Sequence, residues 1–228
     1  MKTIAVLGVA LLVGFSFAPV LHAEEEWVPL FNGKDIDDWE IKGGAATYHV
    51  EGDAIVGVSA PNTQNTFLCT KKHYSDFILE FEALASPTMN SGCQIRSNSL
   101  PDYKDGRVHG YQIEMEDENN PRKWTGGIYD EGRRGWLYPN KEEDEALAAK
   151  FSEQGQTLWK NGEWNHYRIE AIGDSIKTWV NGELRADLTD DMTPSGFIAL
   201  QVHSVGDKTE PLTVRWRNLR IQEVKSEG

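Results

Sequence analysis

Apolar and polar residues alternate with a period of two along most of the chain, in short runs closed by Gly, Asn, Asp or Pro. That pattern predicts antiparallel strands over Tyr48–Val50, Ala54–Val58, Thr66–Thr70, Phe77–Leu84, Gly92–Ser97, Gly110–Glu116, His166–Ile172, Ser175–Val180, Gly196–Ser204 and Leu212–Gln222. Asn181-Gly182 follows the run ending at Val180 as a two-residue hairpin turn, because both residue types tolerate positive φ. One stretch breaks the alternation. Lys141–Lys150 is rich in helix formers, with acids first and Lys last, and predicts a short helix inside a long loop from about Asn119 to Gly162. Many short strands with one decorated loop predict an all-β, two-sheet antiparallel jelly-roll sandwich.

The N-terminus stands apart from this pattern. Lys2, an apolar run from Ile4 to Phe17 and the sequence Leu21-His22-Ala23 predict a signal peptide over residues 1–23, too short to span a membrane comfortably. The expectation is a secreted or periplasmic protein with no stable membrane anchor after cleavage, and one domain over residues 24–228, since no repeat or proline-rich linker divides them. A net charge of −13 argues against nucleic acid as a partner, because phosphate binding needs a basic face. Cys69 and Cys93 are too few for a disulfide scaffold or a zinc site, and both lie in apolar runs. Export permits one bridge between them, and two buried thiols fit equally well.

Reading each strand face by face isolates the candidate chemistry. Cys93 and Ile95 oppose Gln94 and Arg96. Ile113 and Met115 oppose Gln112, Glu114 and Glu116. Ile198, Leu200 and Val202 oppose Gln201 and His203. Gln, Arg, Glu and His suit directional hydrogen bonds to hydroxyls and proton transfer better than a plain solvated strand face would. Neighbouring placement of the three strands would merge these residues into one surface. The competing expectation is three unrelated wet faces.

Glu114-Met-Glu116-Asp117-Glu118 also resembles the acidic strand motif of laminarinase-like retaining glycosidases. Strand geometry weighs against that chemistry. Residues two apart lie about 6.6–6.8 Å from each other, whereas retaining hydrolysis needs carboxyl groups ~5–5.5 Å apart. The long loop adds Trp124, Tyr129, Arg133, Arg134, Trp136 and Tyr138, with aromatic faces suited to stacking on sugar rings and Arg suited to clamping hydroxyls. The histidines have no metal-binding spacing. The acidic loops leave calcium or zinc open as a divalent metal, while nothing in the sequence requires a cofactor.

Several segments, taken in order, resemble the 3-keto-disaccharide hydrolase family. They are Phe31–Asp35 with Trp39, Asn90–Arg96, Gly110–Asp117, Gly126–Tyr129, Trp164–Arg168, Trp179–Gly182, Ala199–His203 and Arg217–Ile221. The resemblance implies a concanavalin-like jelly roll that cleaves glycosides already oxidised to a ketone at sugar carbon 3, by hydrolysis or by 1,2-elimination. A carbonyl there acidifies the hydrogen on carbon 2, so one base, one enolate stabiliser and one acid suffice. On the matching positions, Glu114 or His203 is the expected base, and Arg96 is expected to hold the enolate or a hydroxyl oxygen. Asp117 would tune or orient a partner, and Gln112 and Gln201 would orient the ring. Tyr129, Arg134 and Trp136 complete the expected small-carbohydrate site. A non-catalytic lectin-like module is the competing expectation. The discriminator is whether Glu114, Arg96 and His203 converge on one pocket.

Overall fold

A computed structural model describes residues 26–116 and 119–225. The predicted signal peptide and Asp117 lie outside the described residues. The strands are β1 (Val28–Pro29), β2 (Trp39–Gly43), β3 (Thr47–Glu51), β4 (Ala54–Val58), β5 (Thr66–Thr70), β6 (Phe77–Ala85), β7 (Ser91–Asn98), β8 (His109–Met115), β9 (Ile128–Glu131) and β10 (Gly135–Tyr138). Helix α1 (Glu145–Gly155) follows, then β11 (Asn165–Ile172), β12 (Ser175–Val180), β13 (Glu183–Thr189), β14 (Phe197–Val202) and β15 (Thr213–Glu223).

Every strand pairing is antiparallel, and the strands form two sheets. One has eight strands, ordered β13-β12-β11-β6-β15-β4-β3 with β1 added to β15. The other has seven, ordered β10-β9-β8-β7-β14-β5-β2. This is the predicted all-β sandwich. Alternation along each strand sends one set of side chains between the sheets. Leu79, Phe81, Tyr167, Ile169, Val214 and Trp216 from the larger sheet meet Ile95, Tyr111, Ile113, Met115, Ile198, Leu200 and Val202 from the smaller. Each buried aliphatic or aromatic side chain there contributes roughly 1.5–3 kcal/mol. Asn181 and Gly182 adopt φ 51° and 87°, the predicted turn between β12 and β13.

Two expectations about the long loop change. The segment from 119 to 162 contains β9 and β10, which extend the smaller sheet. Their four-residue lengths and the glycines beside them hide the alternation. The helix begins four residues later than predicted and runs to Gly155, because Asp144 caps it by accepting from the Leu147 amide at 2.8 Å. Cys69 and Cys93 are free, buried thiols. Cys93 packs between the sheets, while Cys69 joins a separate cluster with Phe67, Val108, Phe197 and Ala199.

The two outer faces differ in kind. On the larger sheet Glu80 pairs with Arg168 at 2.7 Å and with Arg220, and Glu82 with Arg217 at 2.8 Å, so each carboxylate is neutralised by arginines that reach the water. On the smaller sheet the outward polar residues Gln94, Gln112, Glu114 and Gln201 are buried. Polar side chains hidden on an outer face need a reason, and that face carries the candidate site.

Candidate functional site

The three strands singled out from sequence are neighbours, with β7 between β8 and β14. Gln94 lies opposite Gln112, and Gly92 lies opposite both Glu114 and Gln201. The missing side chain of Gly92 is what lets Gln112 lie across the sheet. A Cβ there would stand 2.6 Å from Gln112 Cγ and Cδ.

The amides form a chain with one direction. Ser97 Oγ donates to Gln94 Oε1 at 2.7 Å, and Gln94 Nε2 donates to Gln112 Oε1 at 2.8 Å. Gln201 Nε2 donates to the same oxygen at 2.7 Å. With its oxygen taken twice, Gln112 turns its Nε2 to Glu114 Oε2 at 3.0 Å. Asn90 Nδ2 donates to Glu114 Oε1 at 2.6 Å. Gln201 Oε1 is buried without a hydrogen-bond partner among the described residues.

Glu114 is only 4% exposed. Burial and the neighbouring Glu116 carboxylate push its pKa up to about 7, against the hydrogen bonds from Asn90 and Gln112 and the charge of Arg122. Glu116 is buried too, bonded to Arg122 and to the Trp124 amide at 2.9 Å. The Arg122 guanidinium stands 4.0 Å from Glu114 and 4.9 Å from the centre of the Trp136 ring. Trp136 meets Trp124 edge-on at 4.7 Å and Tyr129 at 5.2 Å, making an aromatic wall. Burial, then Glu131 and Glu114, raise the Tyr129 pKa.

These groups surround a cleft of about 740 Å³, lined in part by Gln112, Glu114, Tyr129, Arg134, Trp136 and His203. His203 Nδ1 lies 2.8 Å from the Ser204 carbonyl, which can only accept, so Nδ1 carries a proton and Nε2 is left for a ligand.

Other expected residues fall elsewhere. Arg96 is not at the cleft. A register shift between Ile95 and Asn98 and a φ of 45° at Arg96 break the simple alternation. Its guanidinium is buried against Ser75 O (2.7 Å), Gly173 O (2.7 Å) and Asp76 (2.9 Å), tying down loops at one end of the sandwich. Gln201 lies beneath the cleft as support for Gln112. Arg134 lines the cleft, but its donors are engaged by Asp130 at 2.5 Å and by Asp190 at 2.8 and 3.0 Å. The cations at the cleft that sequence reading did not assign to it are Arg122, Lys141 and Arg107, the last paired with Glu131 at 2.8 Å. Period two had flagged Glu116 and Gln94 without giving them roles, and nothing in the sequence placed Asn90 beside Glu114. Among the described residues no three His, Cys, Asp or Glu side chains gather as a metal site. No helix among them is long and apolar enough to cross a membrane.

A family model described as a 3-keto-alpha-glucoside-1,2-lyase-like domain matches residues 26–222. Among solved structures, a candidate glycosyl hydrolase from Parabacteroides distasonis ATCC 8503 is 18% identical, with a TM-score of 0.58 over 87% of this chain and 94% of that one. The carbohydrate-binding module CBM66 from Bacillus subtilis is 17% identical, with a TM-score of 0.54 over 84% and 98%. A Bacillus subtilis protein of unknown function with a galectin-like fold is 11% identical, with a TM-score of 0.59 over 87% and 94%. These likenesses concern the fold. The comparison with curated proteins gave no match.

Proposed function

The chain belongs to the 3-keto-alpha-glucoside-1,2-lyase-like family, and from that premise we propose that its cleft cleaves 3-keto-glycosides by proton abstraction at sugar carbon 2. The observation that carries this reading is Glu114. It is a buried carboxyl at the cleft with a pKa raised to about 7, held at both oxygens by amide donors. A lectin has no use for such a group, whereas a general base near neutrality works best at that pKa.

In the proposed step the Glu114 carboxylate takes the proton from carbon 2. The electron pair of the broken C–H bond forms a carbon 2–carbon 3 double bond, and the carbonyl pair moves onto oxygen 3. When that enolate collapses, the bond from carbon 1 to the glycosidic oxygen breaks. Its electron pair leaves with that oxygen, which takes the Nε2 proton of His203 in its imidazolium form, leaving the neutral ring with its Nδ1 proton on the Ser204 carbonyl. The product is an enone. Water adding back at carbon 1 makes the net reaction hydrolysis, and release of the enone makes it a lyase.

Arg122, 4.0 Å from Glu114, is the cation suited to hold the enolate oxygen, a role that the location of Arg96 does not support. Gln201 on β14 lies two strand spacings from Glu114, roughly 9.5 Å between backbones, and His203 follows two residues on. That gap leaves room for a sugar ring between base and acid. Trp136 and Tyr129 supply the stacking face. Export of the chain, read from residues 1–23, fits a carbohydrate substrate met outside the cytoplasm.

The test is incubation of the purified protein with 3-keto-trehalose, 3-keto-cellobiose and the unoxidised sugars, with products followed by mass spectrometry. Cleavage of the keto forms alone is expected, with a dehydrated sugar as intermediate or product. Binding without cleavage of any of them would make the domain a carbohydrate-binding module.

A further inference from the structure

We propose that a second cleft beside the first seats the leaving group, and that its occupant is an uncharged hexose. The inference rests on the keto-glycoside reading of the first cleft. The second depression measures about 680 Å³ and shares Asn65, Arg107 and Glu131 with the first. The two are thus a single trough with those three side chains at the join. Each lies in the range of ~300–1,000 Å³ usual for small-molecule sites.

The chemistry of elimination sets the direction of the substrate. The glycosidic oxygen must leave toward the acid, so the aglycone lies on the His203 side, away from Glu114. The Ser204 carbonyl accepts from His203, and the Ser204 amide donates to Asn65 Oδ1 at 2.9 Å. Ser204 and Asn65 both line the second cleft. The acid therefore stands at the border, and a sugar attached to the departing oxygen continues into the second cleft. The alternatives are poorer. The hollow beside Asn90 and Glu116 is only about 220 Å³, and the one against α1, about 440 Å³, joins the first cleft at Arg122, Trp124 and Lys141, on the side of the Glu114 base and not of the His203 acid.

The lining names the ligand class. Gln64, Asn65 and Ser204 offer hydrogen bonds to hydroxyls. Lys104 and Arg107 are matched by Asp105 and Glu131, so a uronate or phosphate would meet both signs at once. The wall is also held in place. Lys104 and Asp105 take left-handed φ values of 45° and 56°, and Lys104 Nζ and Tyr103 Oη donate to the Gly132 carbonyl at 2.7 and 2.9 Å. Residues kept in such conformations concentrate at ligand clamps.

The experiment compares kcat/KM for a 3-keto-disaccharide with that for the methyl 3-keto-glucoside of the same sugar. The wild type should favour the disaccharide at least tenfold. Gln64→Trp, which fills the second cleft from an exposed position, and Lys104→Ala should each lower that preference by tenfold or more. Equal efficiency on the two substrates in the wild type, or variants that lower both rates alike, would overturn the proposal. If no keto-glycoside is cleaved, calorimetric titration with unoxidised cellobiose and with glucose separates the two readings. Tighter cellobiose binding that Gln64→Trp abolishes keeps the second cleft as a sugar site although the catalytic reading has failed. Equal binding of the two sugars removes it as well.

Discussion

Glu114→Gln swaps a buried carboxyl for a neutral amide of the same shape, and its effect on stability can be worked out from the site. The ordinary carboxyl pKa is 4.5, and burial with Glu116 raises it to about 7 in the folded chain. Between those values the folded protein holds a proton that the unfolded chain has released, so stability falls as pH rises through the window. At ~1.36 kcal/mol per pH unit, the charge costs about 3 kcal/mol at pH 8 and under about 1 kcal/mol at pH 5. The amide carries no such cost. It can also be accommodated. Gln112 must keep donating, because its own oxygen already accepts from Gln94 and Gln201. The substituted amide would turn its carbonyl to Gln112 and its NH₂ to Asn90, whose own amide flips to receive it. The variant should therefore be inactive on keto-glycosides yet more stable than the wild type by up to about 3 kcal/mol at pH 8, with little gain at pH 5. Urea denaturation at both pH values, with an unchanged m-value, measures this. A variant no more stable at pH 8, or one that gains equally at both, would refute the burial argument.

Other outcomes follow from the same geometry. Gly92→Ala should push Gln112 off Glu114, costing about 1–3 kcal/mol in urea unfolding and at least tenfold in keto-glycoside turnover. Wild-type turnover should rise with pH through about 7 as Glu114 ionises, a limb seen in the pH profile of kcat/KM. Arg96→Ala should cost about 3 kcal/mol in chemical unfolding by stranding Asp76 and two carbonyls, while sugar binding measured by calorimetry stays as in the wild type. Both cysteines should react with a thiol reagent only after unfolding, and a reductant should leave the melting temperature unchanged.

The fold was legible because each long strand buries one face, so period two survives in the sequence. It faded where strands are short or half exposed, as in β2, β9, β10 and β13. The polar face of β7, β8 and β14 was readable for the same reason, and adjacency in the sheet then joined Gln112, Glu114 and Gln201. Arg96 misled because a bulge one residue after Ile95 turns it away from the face that alternation assigns. Arg122 could not be found from pattern at all. It follows the strand in a loop, and only the fold brings it between Glu114 and Glu116. The direction of the amide chain was equally hidden, since it depends on which oxygen is already taken.

Cleavage in deuterated water tests proton abstraction at carbon 2 most directly. After turnover of a 3-keto-disaccharide by the wild type, the keto-sugar product is trapped at once by reduction and examined by NMR. Passage through the enolate predicts deuterium at carbon 2 of a hydrolysed sugar, or loss of the carbon 2 hydrogen in a released enone, above a no-enzyme control, and neither when Glu114→Gln replaces the wild type. Cleavage that leaves the carbon 2 hydrogen in place would show that the glycosidic bond breaks by direct displacement and that Glu114 is not the base.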